Sequence, residues 1–244
     1  MQKLNKLNVD RQTLTELEIF RDNTSGISIF DLLDKTETTG GKDNLKIQFQ
    51  NPFNSAADII AMQNVLKAIS SNIEQFQIPF TKEMMDKVEV YYFSKSDTVV
   101  SQNPIGRFIE GLFYRINFKD YKETAIAGTK YTLNFLIELK RYFNRFEQNN
   151  LPALLQQLYI DVNTILSESD IKDACNVDNI QTLGFIDLVT IDQLFRSTYK
   201  IKISRLVEIA YTLDVYLSMA KSVKSFNLTF PEVINTEKPI LEIE

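Results

Sequence analysis

Three stretches of this chain hold neither glycine nor proline: 129–151, 153–183 and 185–230. Strands of ordinary length would need turns every few residues, and turns draw on Gly and Pro. Only helices fill such stretches comfortably. The whole chain has 7 Gly and 6 Pro in 244 residues, too few for a sandwich or barrel of many short strands. The expectation is an all-α fold, with short strands only near the termini, at Leu4–Val9, Asn227–Glu232 and Ile240–Ile243.

Apolar spacing places the helices. Ile59, Met62, Leu66, Ile69, Ile73 and Phe76 recur at intervals of three and four, one stripe of a helix. Ser55 precedes the stripe as a candidate N-cap, and Asp58 puts negative charge in its first turn. Pro79 is expected to end this segment. Phe135, Leu139, Phe143 and Phe146 form a second stripe. Leu154 or Leu155 with Leu158, Val162 and Ile165 form a third. Ile203, Leu206, Ala210, Leu213, Leu217 and Ala220 form the longest, predicting one helix over 200–224, about 37 Å at 1.5 Å per residue.

Composition removes several chemistries. The chain has no His, so Ser-His-Asp, Cys-His and His-ligated zinc sites cannot be built within it. Its one cysteine, Cys175, permits no internal disulfide and no cysteine-only metal cluster. Beside Asp173 and Asp178, that thiol has no local cation to activate it and reads as packed. Gly41-Lys42 fails the phosphate-loop pattern twice: Thr36 stands where the earlier glycine belongs, and Asp43 where Ser or Thr belongs. Gly40-Gly41 reads instead as a helix boundary that relieves backbone strain. The carboxylate pairs Asp31/Asp34 and Asp170/Asp173 lack a third ligand at a recognised spacing and read as solvated helix surface.

Charge is uneven. From Asp161 to Arg196 there are two positive and seven negative residues. From Lys200 to Lys224 there are five positive and two negative, in a chain of net charge -5. Mixed charge of this kind belongs to exposed helix faces. The 27 Phe and Tyr residues, densest at Tyr91-Tyr92-Phe93 and Phe113-Tyr114, lack the interleaved basic residues of a base-stacking platform. They are expected to pack helices. There is no secretory leader and no apolar run of about 18 residues that would span a membrane, so the reducing cytoplasm is the expected compartment.

A sharper pattern runs over residues 9–66. Asp10, Thr13, Leu17 and Glu18 fall in Val9-Asp10-Arg11-Gln12-Thr13-Leu14-Thr15-Glu16-Leu17-Glu18-Ile19-Phe20. Leu33, Asp34, Thr36 and Thr38 follow in Ser28-Ile29-Phe30-Asp31-Leu32-Leu33-Asp34-Lys35-Thr36-Glu37-Thr38. Gly41, Leu45, Pro52, Gln63 and Val65 complete the order. This resembles the opening of the core, or lever, domain of the MutS family of DNA mismatch-repair ATPases. That family reads D-x-x-T-x-x-x-L-E-I-F, then S-L-F-x-L-L-D-x-T-x-T-x-x-G, then R-x-L-x-x-W-L-x-x-P-L. Asp43 and Phe49 replace the family's Arg and Trp.

The resemblance implies a helical core and lever domain over residues 1–244, followed by an ATPase domain after Phe230-Pro231-Glu232. The family's mismatch reader and clamp have no counterpart here: Phe108-Ile109-Glu110 only echoes the reader's wedge, and 149–182 is too short and too helical for the clamp. ATP and Mg would then belong to the ATPase domain, with no cofactor, metal or catalytic residue in this chain. The implied partners are that ATPase domain, DNA for the longer protein, and a second copy in a homodimer. DNA binding by this chain alone is expected to be weak. The motif residues read as structural: Asp10 caps the first helix, Thr36 and Thr38 shape the turn before the next, and the apolar members pack. The alternative is a helical protein-interaction scaffold with no DNA role.

Overall fold

The computed structural model describes residues 7, 9–20, 26–93, 119–177 and 179–234, with the side chains of 93 and 119–124 set aside. These residues form an all-α fold. In chain order the helices are α1 (Arg11–Glu16), α2 (Ile29–Leu33), α3 (Thr39–Gln50), α4 (Ala56–Ser71), α5 (Lys82–Phe93), α6 (Lys119–Phe143), α7 (Ala153–Leu166), α8 (Ser169–Cys175), α9 (Phe185–Gln193) and α10 (Lys200–Ser225). Single 3₁₀ turns at Gln148–Asn150 and Ile180–Thr182 precede α7 and α9. No strand occurs among the described residues.

α10 is the axis of the molecule. Its 26 residues span about 39 Å. From Ile203 to Ser222 it is buried around nearly its whole circumference, apart from short exposed intervals at Ser204 and Glu208. α2, α3, α4 and α7 pack against it. α6 is the second long helix, and gathers α5, α7, α8 and α9 around itself. One continuous core joins the two systems, from Leu45, Val65 and Ile69 through Phe80, Phe135 and Leu139 to Leu206, Leu213 and Leu217. Burying an aliphatic side chain of this size contributes roughly 1.5–3 kcal/mol before chain entropy is charged against it.

The local signals explain most boundaries. Ser55 caps α4 by accepting from Asp58 N (3.1 Å). α4 stops at Ser71, well before Pro79, so Ile73 and Phe76 lie beyond it in consecutive turns; both still reach the core. α10 ends through Asn227 in the left-handed region (φ 51°), with Leu228 N donating to Val223 O (2.9 Å). Asn tolerates that conformation better than most side chains.

The expected strands are not found where they can be checked. Asn227–Glu232 has no neighbouring strand among the described residues to satisfy its backbone. It runs along α4 instead: Gln63 Nε2 donates to Pro231 O (2.9 Å), and Lys67 Nζ sits 5.2 Å from the Phe230 ring centre. Of Leu4–Val9, only Leu7 and Val9 are described. Leu7 N donates to Pro52 O (2.8 Å) and Phe53 forms an isolated bridge, short of a strand. Ile240–Ile243, Phe108-Ile109-Glu110 and Phe113-Tyr114 lie outside the described residues.

Candidate functional site

A loop of five residues, Asp34–Thr38, joins α2 to α3 and lies against the outgoing half of α10. Three small polar side chains, Asp214, Ser218 and Ser222, stand four residues apart on one face of that helix. All three are buried. Each holds backbone at the loop. Ser222 Oγ donates to Leu33 O (2.7 Å). Lys35 N donates to Ser218 Oγ (2.8 Å). Glu37 N and Thr38 N donate to the two Asp214 oxygens (2.9 and 2.8 Å).

Thr38 locks the junction. It is the N-cap of α3, accepting from Gly41 N (3.0 Å) at Oγ1, and the same hydroxyl donates its proton to Asp214 Oδ2 (2.6 Å). A hydroxyl has one donor, and both sides of this one are in use. Glycine at 41 follows from the same geometry: a Cβ there would overlap Asp214 Oδ2. A Cβ at Gly40 would overlap the Tyr211 ring. The two glycines therefore lie inside the first turn of α3 to permit close approach to α10, not to relieve strain at a boundary.

Asp34 and Thr36 build the entry to this loop. Asp34 Oδ1 accepts from Thr36 N (3.0 Å) and Thr36 Oγ1 (2.6 Å), a side-chain-closed turn. Asp34 Oδ2 pairs with Lys42 (2.9 Å). Burial pushes the Asp34 carboxyl up, but the Thr36 and Lys42 contacts outweigh it and leave it below the usual range. Asp214 goes the other way. Burial pushes its carboxyl above the usual range, against the bonds from Thr38 and Glu37. Its partners among the described residues are all uncharged. Glu37 closes the outer edge through Lys221 (2.6 Å) and Gln77 (2.9 Å).

The remaining motif residues divide. Asp10 caps α1, accepting from Thr13 N (2.9 Å) and Thr13 Oγ1 (2.7 Å). Leu33 and Pro52 take part through their carbonyls. Leu45 and Val65 are fully buried. Leu17 does not pack: it is 59% exposed. α1 lasts six residues, and the chain reverses at Glu18 (φ 54°) with Ile19 N on Leu14 O, which turns Leu17 outward and lets the Phe20 ring pack at a tilt against Phe30.

The charged stretches face each other. Arg205 pairs with Asp161 (2.8 Å), Lys202 with Glu168, and Tyr199 Oη donates to Asp170 (3.2 Å). With Lys221 on Glu37, three of the five cations of 200–224 are engaged within the fold. Asp31 completes a capping box with Ser28, while Asp170 and Asp173 are exposed, so neither carboxylate pair converges on a metal. No metal-capable cluster occurs among the described residues. Cys175 is half-buried, and burial raises its thiol to about 11, against a small opposing pull from Lys140.

A second polar cluster lies deeper. Asp192 accepts from Tyr91 Oη (2.6 Å) and from Arg196 Nε and Nη2 (2.9 and 3.1 Å). Thr129 Oγ1 reaches Tyr91 Oη at 3.2 Å. A π-helical turn over Leu194–Thr198 turns Phe195 and Arg196 inward. The Tyr91 ring lies where a Cβ on Gly128 would be. Neither Asp214 with its serines nor Asp192 with Arg196 was singled out from sequence. The available signal was polar residues at intervals of four inside an otherwise apolar helix.

Comparison of the chain with protein-family models, with curated proteins and with solved structures finds no match.

Proposed function

We propose that this chain is the helical core and lever region of a MutS-like DNA-processing ATPase, coupling an ATPase domain to DNA-facing parts of the longer protein. The observation that carries this reading is that Thr38 and Gly41 lie against Asp214 of the long helix, in a loop whose entry Asp34 and Thr36 close on each other. Within residues 34–41 the motif does one mechanical job. It fastens the α2–α3 loop to α10, so that a displacement of the outgoing end of α10 carries α2 and α3 with it. Packed helices with two discrete arrangements transmit such displacements as rigid bodies. In this reading ATP and Mg are bound by the ATPase domain, and this chain supplies no catalytic group.

Direct DNA binding has little support. Phosphate contact needs free Lys and Arg, and three of the five 200–224 cations are paired within the fold. Matched, mismatched and branched duplexes are therefore expected to bind weakly, alike, and less as salt rises, by fluorescence anisotropy at about 150 mM salt.

The decisive test reads the coding sequence beyond codon 244. A G-x-x-x-x-G-K-[ST] segment there supports the proposal, and a stop codon supports the scaffold alternative. In a longer protein that hydrolyses ATP, Asp214→Ala is expected to keep basal hydrolysis and lose its stimulation by DNA. Intact stimulation would contradict the lever role.

A further inference from the structure

α5 and α10 meet along a small cleft of about 110 Å³. Val88 and Val207 are its buried apolar members, and the Tyr92 and Tyr211 side chains line it with them. Ser204 and Glu208, where α10 is exposed, stand at its rim with Glu89 of α5. Tyr211 Oη donates to Glu89 Oε1, and Thr39 Oγ1 donates to Asp86 (3.1 Å), one turn before Glu89. Burial, then the charges of Glu89, Glu208 and Asp86, push the Tyr211 hydroxyl well above its ordinary range. Three carboxylates therefore act on one point. No cation pairs with any of them among the described residues, Lys82 and Lys87 of α5 included. The Tyr92 hydroxyl oxygen, meanwhile, is buried and has no hydrogen-bond partner.

Unpaired carboxylates beside an orphaned buried hydroxyl define a ligand. Like charges held together favour a cation between them. Burial keeps the Tyr92 hydroxyl neutral, and a neutral phenol oxygen accepts a hydrogen bond. Two aromatic rings add attraction for a cation. A bare metal ion is a poor fit, since no cluster of three metal-capable ligands occurs among the described residues. The buried valines call for an alkyl chain on the cation. The volume lies well below the roughly 300 Å³ at which drug-sized sites begin, so it admits one arm of a ligand and not a whole one. We propose that this cleft binds a short primary alkylammonium arm, its chain against Val88 and Val207, its charge between Glu89 and Glu208, and one N–H on the Tyr92 oxygen. A free diamine and a lysine side chain both carry that chemistry. This site is separate from the Asp214 junction and independent of the lever reading.

The test is calorimetric titration of the full chain with 1,4-diaminobutane, with 1-butanol as the uncharged control, and with the blocked peptide acetyl-Gly-Lys-Gly-amide. The expected result is saturable one-to-one binding of the diamine and the peptide, and none of butanol. Glu208→Gln should weaken both about tenfold, and Tyr92→Phe should weaken both several-fold. Neither variant should lose stability: Glu208 is exposed, and Tyr92→Phe removes only an unsatisfied hydroxyl, so its melting temperature should hold or rise. Asp173→Asn, an exposed carboxylate outside the cleft, should bind like the parent chain. Tighter binding of the peptide would make a partner's lysine the source of the ammonium, and tighter binding of the diamine would make it a free amine. No saturable heat from either up to about 10 mM would overturn the proposal. So would parental affinity in Glu208→Gln or Tyr92→Phe. A loss in Asp173→Asn equal to that in Glu208→Gln would also overturn it, because the amine would then be a diffuse counter-ion of an acidic chain.

Discussion

Two buried carboxylates in this fold are satisfied in opposite ways. Asp192 meets a charge: the Arg196 guanidinium grips both its oxygens, one turn along the same helical run. Asp214 meets only uncharged donors, two backbone N–H groups and one hydroxyl, all from the α2–α3 loop. A buried ion pair costs much when one partner is removed, because the other charge is left uncompensated in a poor solvent for it. A carboxylate held by backbone donors fixes the position of those donors instead, and burial keeps its carboxyl pKa raised in spite of them. The first arrangement holds α9 and its π turn against α5 and α6. The second fastens a loop to a long helix, and so defines which parts move together.

The most severe test removes what both regions share. Leu213→Pro would break the α10 hydrogen-bond ladder and clash one turn back, costing roughly 3 kcal/mol or more in addition to lost packing. Failure to fold, or a large fall in the circular-dichroism melting temperature, is expected. A soluble variant melting like the parent would mean that α10 is not the axis. Next in size, Arg196→Met keeps the volume and strands the Asp192 charge, at about 3–5 kcal/mol. Urea unfolding should show it, and a loss near zero would mean that the cluster is wetter than its burial implies.

Asp214→Asn should cost less, about 1–3 kcal/mol, since the amide NH₂ must face the donors of Thr38 or Glu37. Its pH dependence separates it from Asp34. The Asp34 carboxyl lies below its ordinary 3.8 in the folded state. Its stabilisation is therefore present above that value and lost as pH falls through the folded one. Asp214 lies above its ordinary value. Its contribution is most favourable at low pH and declines as pH climbs through the raised folded value. From pH 7 down to about 3.8 the melting gap between parent and Asp214→Asn should widen, and from about 3.8 down to about 2 the gap between parent and Asp34→Asn should shrink. Gaps of the same sign would break the contrast. Smallest of all, Lys202→Ala removes an exposed pair with Glu168 and should change stability by about 0–1 kcal/mol. A larger loss would show that facing the two charged stretches matters to folding.

The helices were legible because their signals are local. Ile203, Leu206, Leu213 and Leu217 repeat at helical spacing, and α10 extends over Lys200–Ser225 against an expected 200–224. Asp10, Ser55 and Thr38 are residues that cap, and each caps. What escaped is long-range. Asp214 lies 176 residues from Thr38, and nothing near either one announces the other. The helix is buried nearly all round its middle, so no amphipathic face indicates where a loop will dock. Gly40 and Gly41 do mark a helix boundary, the first turn of α3, but their purpose, room for Tyr211 and Asp214, is written elsewhere in the chain. Leu17 was expected to pack from its place in a motif, yet a six-residue helix and the reversal at Glu18 turn it to solvent.

The central claim is that Asp214 fastens the α2–α3 loop to α10. Amide hydrogen exchange reads this bond by bond. In the parent chain, Lys35, Glu37 and Thr38 should be protected to nearly the same degree as the α10 amides around Leu213, although they belong to a loop. In Asp214→Ala, protection of Glu37 and Thr38 should collapse while that of the α10 amides falls only with overall stability. Fast exchange at Glu37 and Thr38 in the parent, or equal protection in the variant, would contradict the account.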